Sequence, residues 1–565
     1  MLNRPGLHVV ACGLLLNLMN PSTAIGSEST SVRGEGRPNV LLIVVDDMGH
    51  ADLGSFGGEI PTPNLDALAQ SGIRLSRFIT AAACSPTRAM LLTGVDAHRA
   101  GLGNLEEELA PNQRNQPGYE GYLNERVVTV PTLLREAGYR TYMTGKWHLG
   151  TEEQHGPAAR GFDRSFAMLT NASHFADMRP AYSPDPLAKA KYRDEGRLIS
   201  ELPRNFDYSS QYFVDRMIEY LDSDQQQPFF AYLAFSAPHW PLQAPDESIA
   251  RFAGRYDEGP DAIAEARLRR QIDLGLVQKT ARLAPRAPKG RPWGELDEQT
   301  RRVEARAMEV YAAMIFEIDR HVGRLMDHLR ASKRLDNTVV IFLSDNGAEG
   351  HDYDDTWPAE AFPAIRKVLD EAHDFSLENM GRPGSYTFYG PNWARASSPA
   401  LGLYKAFPTE GGVRTAAFVS GTGRFGPARI EDALVLAKDL APTILDLAGV
   451  VHPGNRHGDR DIEPMSGVSA LAILRGGATD QAWQQRIHAD ELLGKRSVRL
   501  GDWKLVHMPA PFGSGAWQLY DLANDLAESR DLAQQYPDKL AELIAYWESY
   551  AQQNGLILPD WVSGY

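Results

Sequence analysis

The sequence predicts an α/β protein: a large mixed, mostly parallel sheet sandwiched by helices, then a smaller C-terminal α+β subdomain with an antiparallel sheet. Three observations carry this. Short apolar runs bounded by turn residues recur along the chain. Helical patterns lie between them, as in sheets covered by helices on both faces. Near the C-terminus, Ser497–Val506 instead reads as strand, turn and strand in quick succession, a hairpin pattern. The main domain is expected over 38–458 and the C-terminal subdomain over 459–565, with a last helix at Pro537–Gln552.

At the N-terminus, Arg4 precedes the apolar stretch Leu7–Met19, and small residues follow in Ser22-Thr23-Ala24-Ile25-Gly26-Ser27. The stretch is too short for a membrane span, which needs about 20 apolar residues. It reads as a secretory signal peptide over 1–26, cleaved after Gly26 or Ala24, and predicts export, into a periplasm. Two readings compete: an ordinary buried N-terminal helix, and a lipoprotein cleavage box at Val9-Val10-Ala11-Cys12. No other long apolar stretch occurs, so no membrane span is expected. The net charge of −15 argues against nucleic acid as a partner. The chain has two cysteines, Cys12 and Cys84. If Cys12 leaves with the signal, Cys84 cannot form an internal disulfide, and an unpaired thiol is a liability in an oxidising compartment. Cys84 is then either buried and inert or chemically special.

In such sheets ligands bind beyond the carboxyl ends of the strands, so the residues just after each run matter most. Val40–Val45 ends in Asp46-Asp47. Tyr139–Met143 leads to Gly145-Lys146-Trp147-His148. Phe229–Phe235 ends in Ser236-Ala237-Pro238-His239, and Val339–Leu343 in Ser344-Asp345-Asn346-Gly347. Taken singly, each has a plain reading: an Asp after a strand caps a turn or helix, a lone His is a satisfied polar group, and Lys146 is a surface lysine. Together they are harder to dismiss. Adjacent carboxylates repel unless a cation sits between them, and Asp46, Asp47, Asp345 and Asn346 are all oxygen donors, suited to Ca²⁺ or Mg²⁺. The stretch Asp297–Arg330 carries Val310, Met314, Ile318, Val322, Leu325 and Leu329 at helical spacing and reads as a helix packed on the sheet. The charged segment Arg251–Arg302 before it reads as a solvated surface insertion, and His351-Asp352-Tyr353-Asp354-Asp355 as a solvated acidic loop.

Cys84-Ser85-Pro86-Thr87-Arg88, followed by Leu91-Leu92-Thr93-Gly94, matches the type I sulfatase signature, whose core is Cys-x-Pro-x-Arg. Gly138-Tyr139-Arg140-Thr141 with Gly145-Lys146-Trp147-His148 resembles that family's second signature, although Thr144 stands where a smaller or aliphatic residue is usual. Asp46-Asp47 and Asp345-Asn346-Gly347 match its metal positions. Lys405, ahead of Glu410-Gly411-Gly412-Val413-Arg414, looks like its second sulfate-binding lysine. The resemblance runs from Pro38 to about Ala533. It is nearest the bacterial arylsulfatases, notably in Phe235–Pro245, and places the chain in the alkaline phosphatase superfamily.

The resemblance implies a sulfuric ester hydrolase acting on a small-molecule or carbohydrate sulfate ester. It implies that a formylglycine-generating enzyme oxidises Cys84 to an aldehyde, reading the Cys, Pro and Arg on the unfolded chain. The hydrated aldehyde would attack sulfur with one hydroxyl, and the sulfated enzyme would release sulfate by C–O cleavage. One divalent cation, Ca²⁺ by resemblance or else Mg²⁺, would sit against Asp46, Asp47, Asp345, Asn346 and an oxygen of modified residue 84. Arg88, at helical spacing from Cys84, would offset the carboxylates. Lys146 and Lys405 would neutralise sulfate oxygens, His148 would act as base in sulfate release, and His239 as acid for the leaving oxygen. The rival reading within the superfamily is a phosphonate monoester or phosphodiester hydrolase. A binding protein that has lost catalysis would have no need of the full polar set. The loops 168–206 and 375–398 are expected to shape the pocket.

Overall fold

The computed structural model describes residues 36–563 apart from 182, 184 and 186. The signal peptide expected over 1–26 lies outside them. The ten strands of the main sheet run in the order Arg429–Glu431, Ile73–Leu75, Ala417–Ser420, Thr338–Ser344, Asn39–Val45, Phe229–Ala234, Arg140–Lys146, Arg164–Met168, Tyr192–Asp194, Arg197–Ile199. From Thr338–Ser344 to Arg164–Met168 every neighbouring pair is parallel. Antiparallel pairs flank this centre.

Every residue of Asn39–Val45 and Thr338–Ser344 is buried, as expected of parallel strands covered on both faces. Successive side chains enter opposite cores. Leu41, Ile43 and Val45 share one core with Val310, Met314, Ile318, Val322, Leu325 and Leu329. Val40, Leu42 and Val44 share the other with Leu91, Leu92, Leu440 and Ile444. The long helix spans Glu298–Ala331, and the Asp297 carboxylate accepts from the Thr300 N–H at its start. Its apolar stripe packs where the sequence placed it.

Near the C-terminus a separate antiparallel sheet is ordered Ile487–Leu492, Lys495–Leu500, Trp503–His507, Trp517–Asp521. The hairpin pattern at Ser497–Val506 corresponds to its second and third strands, with Leu500 opposite Trp503. The final helix, Pro537–Asn554, puts Leu543 and Trp547 against Val498, Leu505 and Leu519.

Two surface readings require correction. Arg251–Arg302 is not simply a solvated insertion. It contains the helix Pro260–Leu274, from which Arg267 reaches full burial. The Arg267 guanidinium pairs with Asp52 at 2.5 Å and with Glu59 at 2.7 Å, and Tyr311 Oη donates to the other Asp52 oxygen at 2.7 Å. These contacts brace the loop that follows Asp46-Asp47. The partners lie more than two hundred positions apart, so no local pattern signals them. Arg267→Ala should therefore remove the shared partner of two buried carboxylates, leaving Asp52 with Tyr311 and Glu59 with Arg270 at 3.5 Å, and cost about 3–5 kcal/mol, read as a lower urea midpoint. A midpoint within experimental error of wild type would show that the insertion does not brace the loop. In the second case His351 and Asp355 are buried rather than solvated. His351 Nδ1 lies 2.6 Å from Glu349 Oε1, and Asp355 pairs with Lys289.

Candidate active site

The carboxyl ends of four adjacent parallel strands meet at one edge of the sheet. Val45 is level with Ser344, Val44 with Ala234 and Gly145 with Ala234. Asp46, Asp345, Lys146 and the Ser236–His239 segment are therefore delivered to one place by register alone. Gly145 is needed there: its φ is +108, and a Cβ would lie 1.7 Å from the Ala234 carbonyl oxygen.

Cys84 opens the helix Cys84–Thr93, which is buried along its whole length and ends at Gly94 with φ +69. Pro86 fits in the first turn, where no intrahelical N–H bond is lost. Cys84 is 1% exposed, and its Sγ lies 3.9 Å from Asp47 Oδ1. One turn on, Arg88 is fully buried. Its Nε and Nη2 lie 2.8 and 2.7 Å from Asp345 Oδ2, Nη2 lies 3.6 Å from Asp46 Oδ1, and Nη1 donates to the Lys146 carbonyl at 2.9 Å.

Lys146 Nζ donates to Asp46 Oδ2 at 2.6 Å. Lys405 Nζ donates to Asp47 Oδ2 at 2.9 Å and lies 3.3 Å from Glu349 Oε2. Asn346 Nδ2 donates to Asp47 Oδ1 at 2.6 Å. His239 Nδ1 lies 2.6 Å from its neighbour's carbonyl, Trp240 O. That contact puts its proton on Nδ1 and leaves Nε2 facing Lys405 Nζ at 3.2 Å and Asn171 Nδ2 at 3.4 Å. His148 Nε2 lies 3.1 Å from Glu107 Oε1. Asp47 and His148 both adopt left-handed backbone, with φ of 69° and 56°. Such conformations cost roughly 1–3 kcal/mol each and gather at functional sites.

The electrostatics are uneven. Burial raises Asp46, but Lys146, His239, Arg88 and Lys405 together hold it well below the usual carboxylate range. Asp47 is pushed up to about 7 by burial and by the neighbouring carboxylates, against the pull of Lys405. Asp345 is pushed up to about 6 by burial and the Asp46 charge. His239 is driven well below the ordinary histidine value by burial and then by Lys405.

The donor set fits a divalent cation. One oxygen from each of Asp46, Asp47 and Asp345 and the Cys84 sulfur lie within 4.8 Å of one another. Asp46 Oδ1 and Asn346 Oδ1 are buried with no hydrogen-bond donor. Three crowded carboxylates and an amide oxygen are hard ligands, and a cation would relieve the repulsion that raises Asp47 and Asp345.

All the residues singled out in the sequence for catalysis or metal binding converge here. Cys84, His148, His239 and Lys405 also line a cavity of about 30 Å³ with Leu105, Glu107, Glu108, Asn171, Trp240 and Trp357. Of the two loops expected to shape the pocket, 168–206 supplies Asn171. The lining has no residue from 375–398; Tyr386 packs edge-on and Phe388 tilted against Trp240 instead, with ring centroids 5.9 and 4.9 Å away. Glu107, Glu349 and Tyr232 went unseen in the sequence. Glu349 follows Asp345 by four residues in a non-helical loop, the only local clue among them. Tyr232 lies inside a strand, its Oη 3.5 Å from Arg88 Nη1.

A family model described as Sulfatase matches residues 38–450. The chain belongs to the sulfatase family. An uncharacterized sulfatase of Schizosaccharomyces pombe is 42% identical over 541 residues, covering 93% of this chain and 95% of that protein. An arylsulfatase of Klebsiella aerogenes is 38% identical over 443 residues, covering 77% of this chain and 92% of that protein. Among solved structures, Ps i-CgsB in complex with k-i-k-neocarrahexaose shares the fold, with a TM-score of 0.64 at 23% identity, over 93% of this chain and 95% of that one. The sulfatase is thus a sulfuric ester hydrolase. Lys405, His148 and His239 line its cavity beside Cys84, while Arg88 and Lys146 lie fully buried behind it against Asp345 and Asp46.

Proposed function

We propose that this sulfatase hydrolyses sulfate monoesters of phenols and alcohols with residue 84, converted to formylglycine, as its nucleophile. The placement of residue 84 carries the reading: its side chain lies within the Asp46, Asp47 and Asp345 cluster, 3.9 Å from Asp47 Oδ1, and faces the cavity shared with His148, His239 and Lys405. Converted and hydrated, residue 84 would offer one hydroxyl to take the sulfuryl group and a second to expel it by C–O cleavage.

Asp46, Asp47, Asp345, Asn346 and an oxygen of converted residue 84 would hold the divalent cation. Bound there, it would supply the charge that acidifies a hydroxyl and polarises a sulfate oxygen. Ca²⁺ is favoured by family resemblance, and Mg²⁺ meets the same oxygen set. The remaining roles belong to side chains. Lys146 and Lys405 neutralise sulfate oxygens, where donors fixed in a dry site act most strongly. Arg88, clamped on Asp345, holds that carboxylate and faces Asp46. His148 takes a proton as sulfate leaves. His239 presents Nε2 toward the leaving oxygen; because its own proton sits on Nδ1, the proton it passes on comes to Nε2 from the Lys405 ammonium 3.2 Å away. The cavity holds about one water molecule, so Leu105, Trp240 and Trp357 must give way to admit an ester and will set which ones enter. Export to a periplasm, from the N-terminal segment, completes the proposal.

His239 provides the test. An acid matters most for a basic leaving group, and general acid catalysis contributes about 10²–10⁴-fold. His239→Ala should slow alkyl and unactivated phenyl sulfates by something near that range, and nitrophenyl sulfate clearly less. The measurement is log rate against leaving-group pKa, for variant and wild type. Parallel lines would mean that His239 only binds substrate. Matched sulfate, phosphate and phosphonate esters would separate this reading from a phosphonate monoester or phosphodiester hydrolase.

A further inference from the structure

Glu107 sits in a short 3₁₀ turn, Glu106–Glu108, and comes to the site from outside the sheet. Nothing in that run of three glutamates distinguishes it from a solvated turn, yet its carboxylate meets His148 Nε2 at 3.1 Å. Burial would raise Glu107, but the His148 ring, its hydrogen bond and Lys146 hold it at about 2. It is therefore ionised and can only accept. The proton of that contact belongs to His148 Nε2. His148 is itself held below the ordinary histidine value by burial, with Lys146 and Arg88 opposing Glu107. In the neutral ring the lone pair then falls on Nδ1. That atom is buried with no hydrogen-bond partner, on a ring that lines the same cavity as Cys84. The left-handed backbone of His148 makes the presentation costly, which a merely structural histidine would not require.

We propose that Glu107 is a positioning residue: it fixes the Nε2–H tautomer of His148 and leaves Nδ1 as the atom that accepts a proton when sulfate is released. This deepens the reading above and rests on His148 being the base. A carboxylate behind a histidine fixes tautomer and orientation in this way in other hydrolases, and its amide replacement permits the wrong tautomer.

The experiment has two arms. In the first, histidine-labelled wild-type protein, with or without conversion of residue 84, is examined by long-range ¹H–¹⁵N correlation. His148 should be protonated on Nε2. In Glu107→Gln, whose amide donates as readily as it accepts, a share of Nδ1–H should appear. In the second arm, converted Glu107→Gln and Glu107→Ala enzymes should lose about 10²–10⁴-fold in kcat. KM should rise no further than in His148→Ala, and the first-turnover burst of leaving group should persist, because ester cleavage precedes the impaired step. A wild-type His148 protonated on Nδ1 would overturn the proposal, and so would unchanged kcat in both Glu107 variants alongside an impaired His148→Ala. Unchanged kcat in His148→Ala would instead overturn the base assignment beneath it. The tautomer of the wild-type protein decides the matter even if a variant fails to fold.

Discussion

In active preparations the tryptic peptide Phe78–Arg88 will carry one sulfur and two hydrogens fewer, and one oxygen more, than the encoded sequence, as an aldehyde replaces the Cys84 thiol. Turnover should scale with the converted fraction. Cys84→Ala should lose turnover by a factor on the order of 10³ or more, as nucleophile removal does elsewhere. Cys84→Ser is more informative. It offers a hydroxyl at the same place but no second hydroxyl on the same carbon, so it should take a sulfuryl group once and stall. A single burst of leaving group, without steady-state turnover, is the expected trace. Full activity in protein that carries only unmodified Cys84 would end the formylglycine reading.

Loss of the oxygen ligands should be nearly as severe. Asp46→Asn and Asn346→Ala should each lower turnover by a factor on the order of a hundred or more. Calorimetric titration should show weaker binding of Ca²⁺ or Mg²⁺. At a cation concentration one hundred times its Kd, wild type should gain about 2.7 kcal/mol of stability, and the variants less at the same concentration. Asp345→Ala is a poorer choice. It strips Arg88 of its partner at 2.7 Å and leaves Asp46 at 3.6 Å as its nearest carboxylate, so lost activity would be mixed with lost structure. Near wild-type activity in chelated enzyme or in Asp46→Asn would show the ligand set to be wrong.

The parts of the fold visible in the sequence were those written in local patterns. Continuous apolar runs marked the central strands, and the spacing from Val310 to Leu329 marked the long helix. The site was legible because four strands end in distinctive polar residues and because Cys84-Ser85-Pro86-Thr87-Arg88 on the helix Cys84–Thr93 matches a known signature. What escaped was long-range pairing of charges. Arg267 with Asp52 and Glu59, and Glu107 with His148, consist of ordinary charged residues in charged stretches. Their burial depends on where two distant segments meet, and neither periodicity nor turn chemistry carries that information. The Tyr139–Met143 run was read too short: the strand spans Arg140–Lys146 and includes Gly145. Gly145 is the residue that lets the strand run close to Ala234 through to Lys146.

The burial of Cys84 sets a deadline. At 1% exposure, with groups from Asp46 to Lys405 around it, the side chain is out of a modifying enzyme's reach once the sheet has closed. The sheet cannot close early. Asn39–Val45 takes one of its two parallel neighbours from Thr338–Ser344, a strand made about 250 residues after Cys84. At about 5–20 residues per second of synthesis, that leaves roughly 10–50 s during which Cys84-Ser85-Pro86-Thr87-Arg88 can still be met as an open chain, plus whatever the slow, non-local pairing adds. If conversion occurs as proposed, the order of strands along the chain acts as a timer for the chemistry, and a substitution that hastened closure would yield well-folded protein with an unconverted thiol.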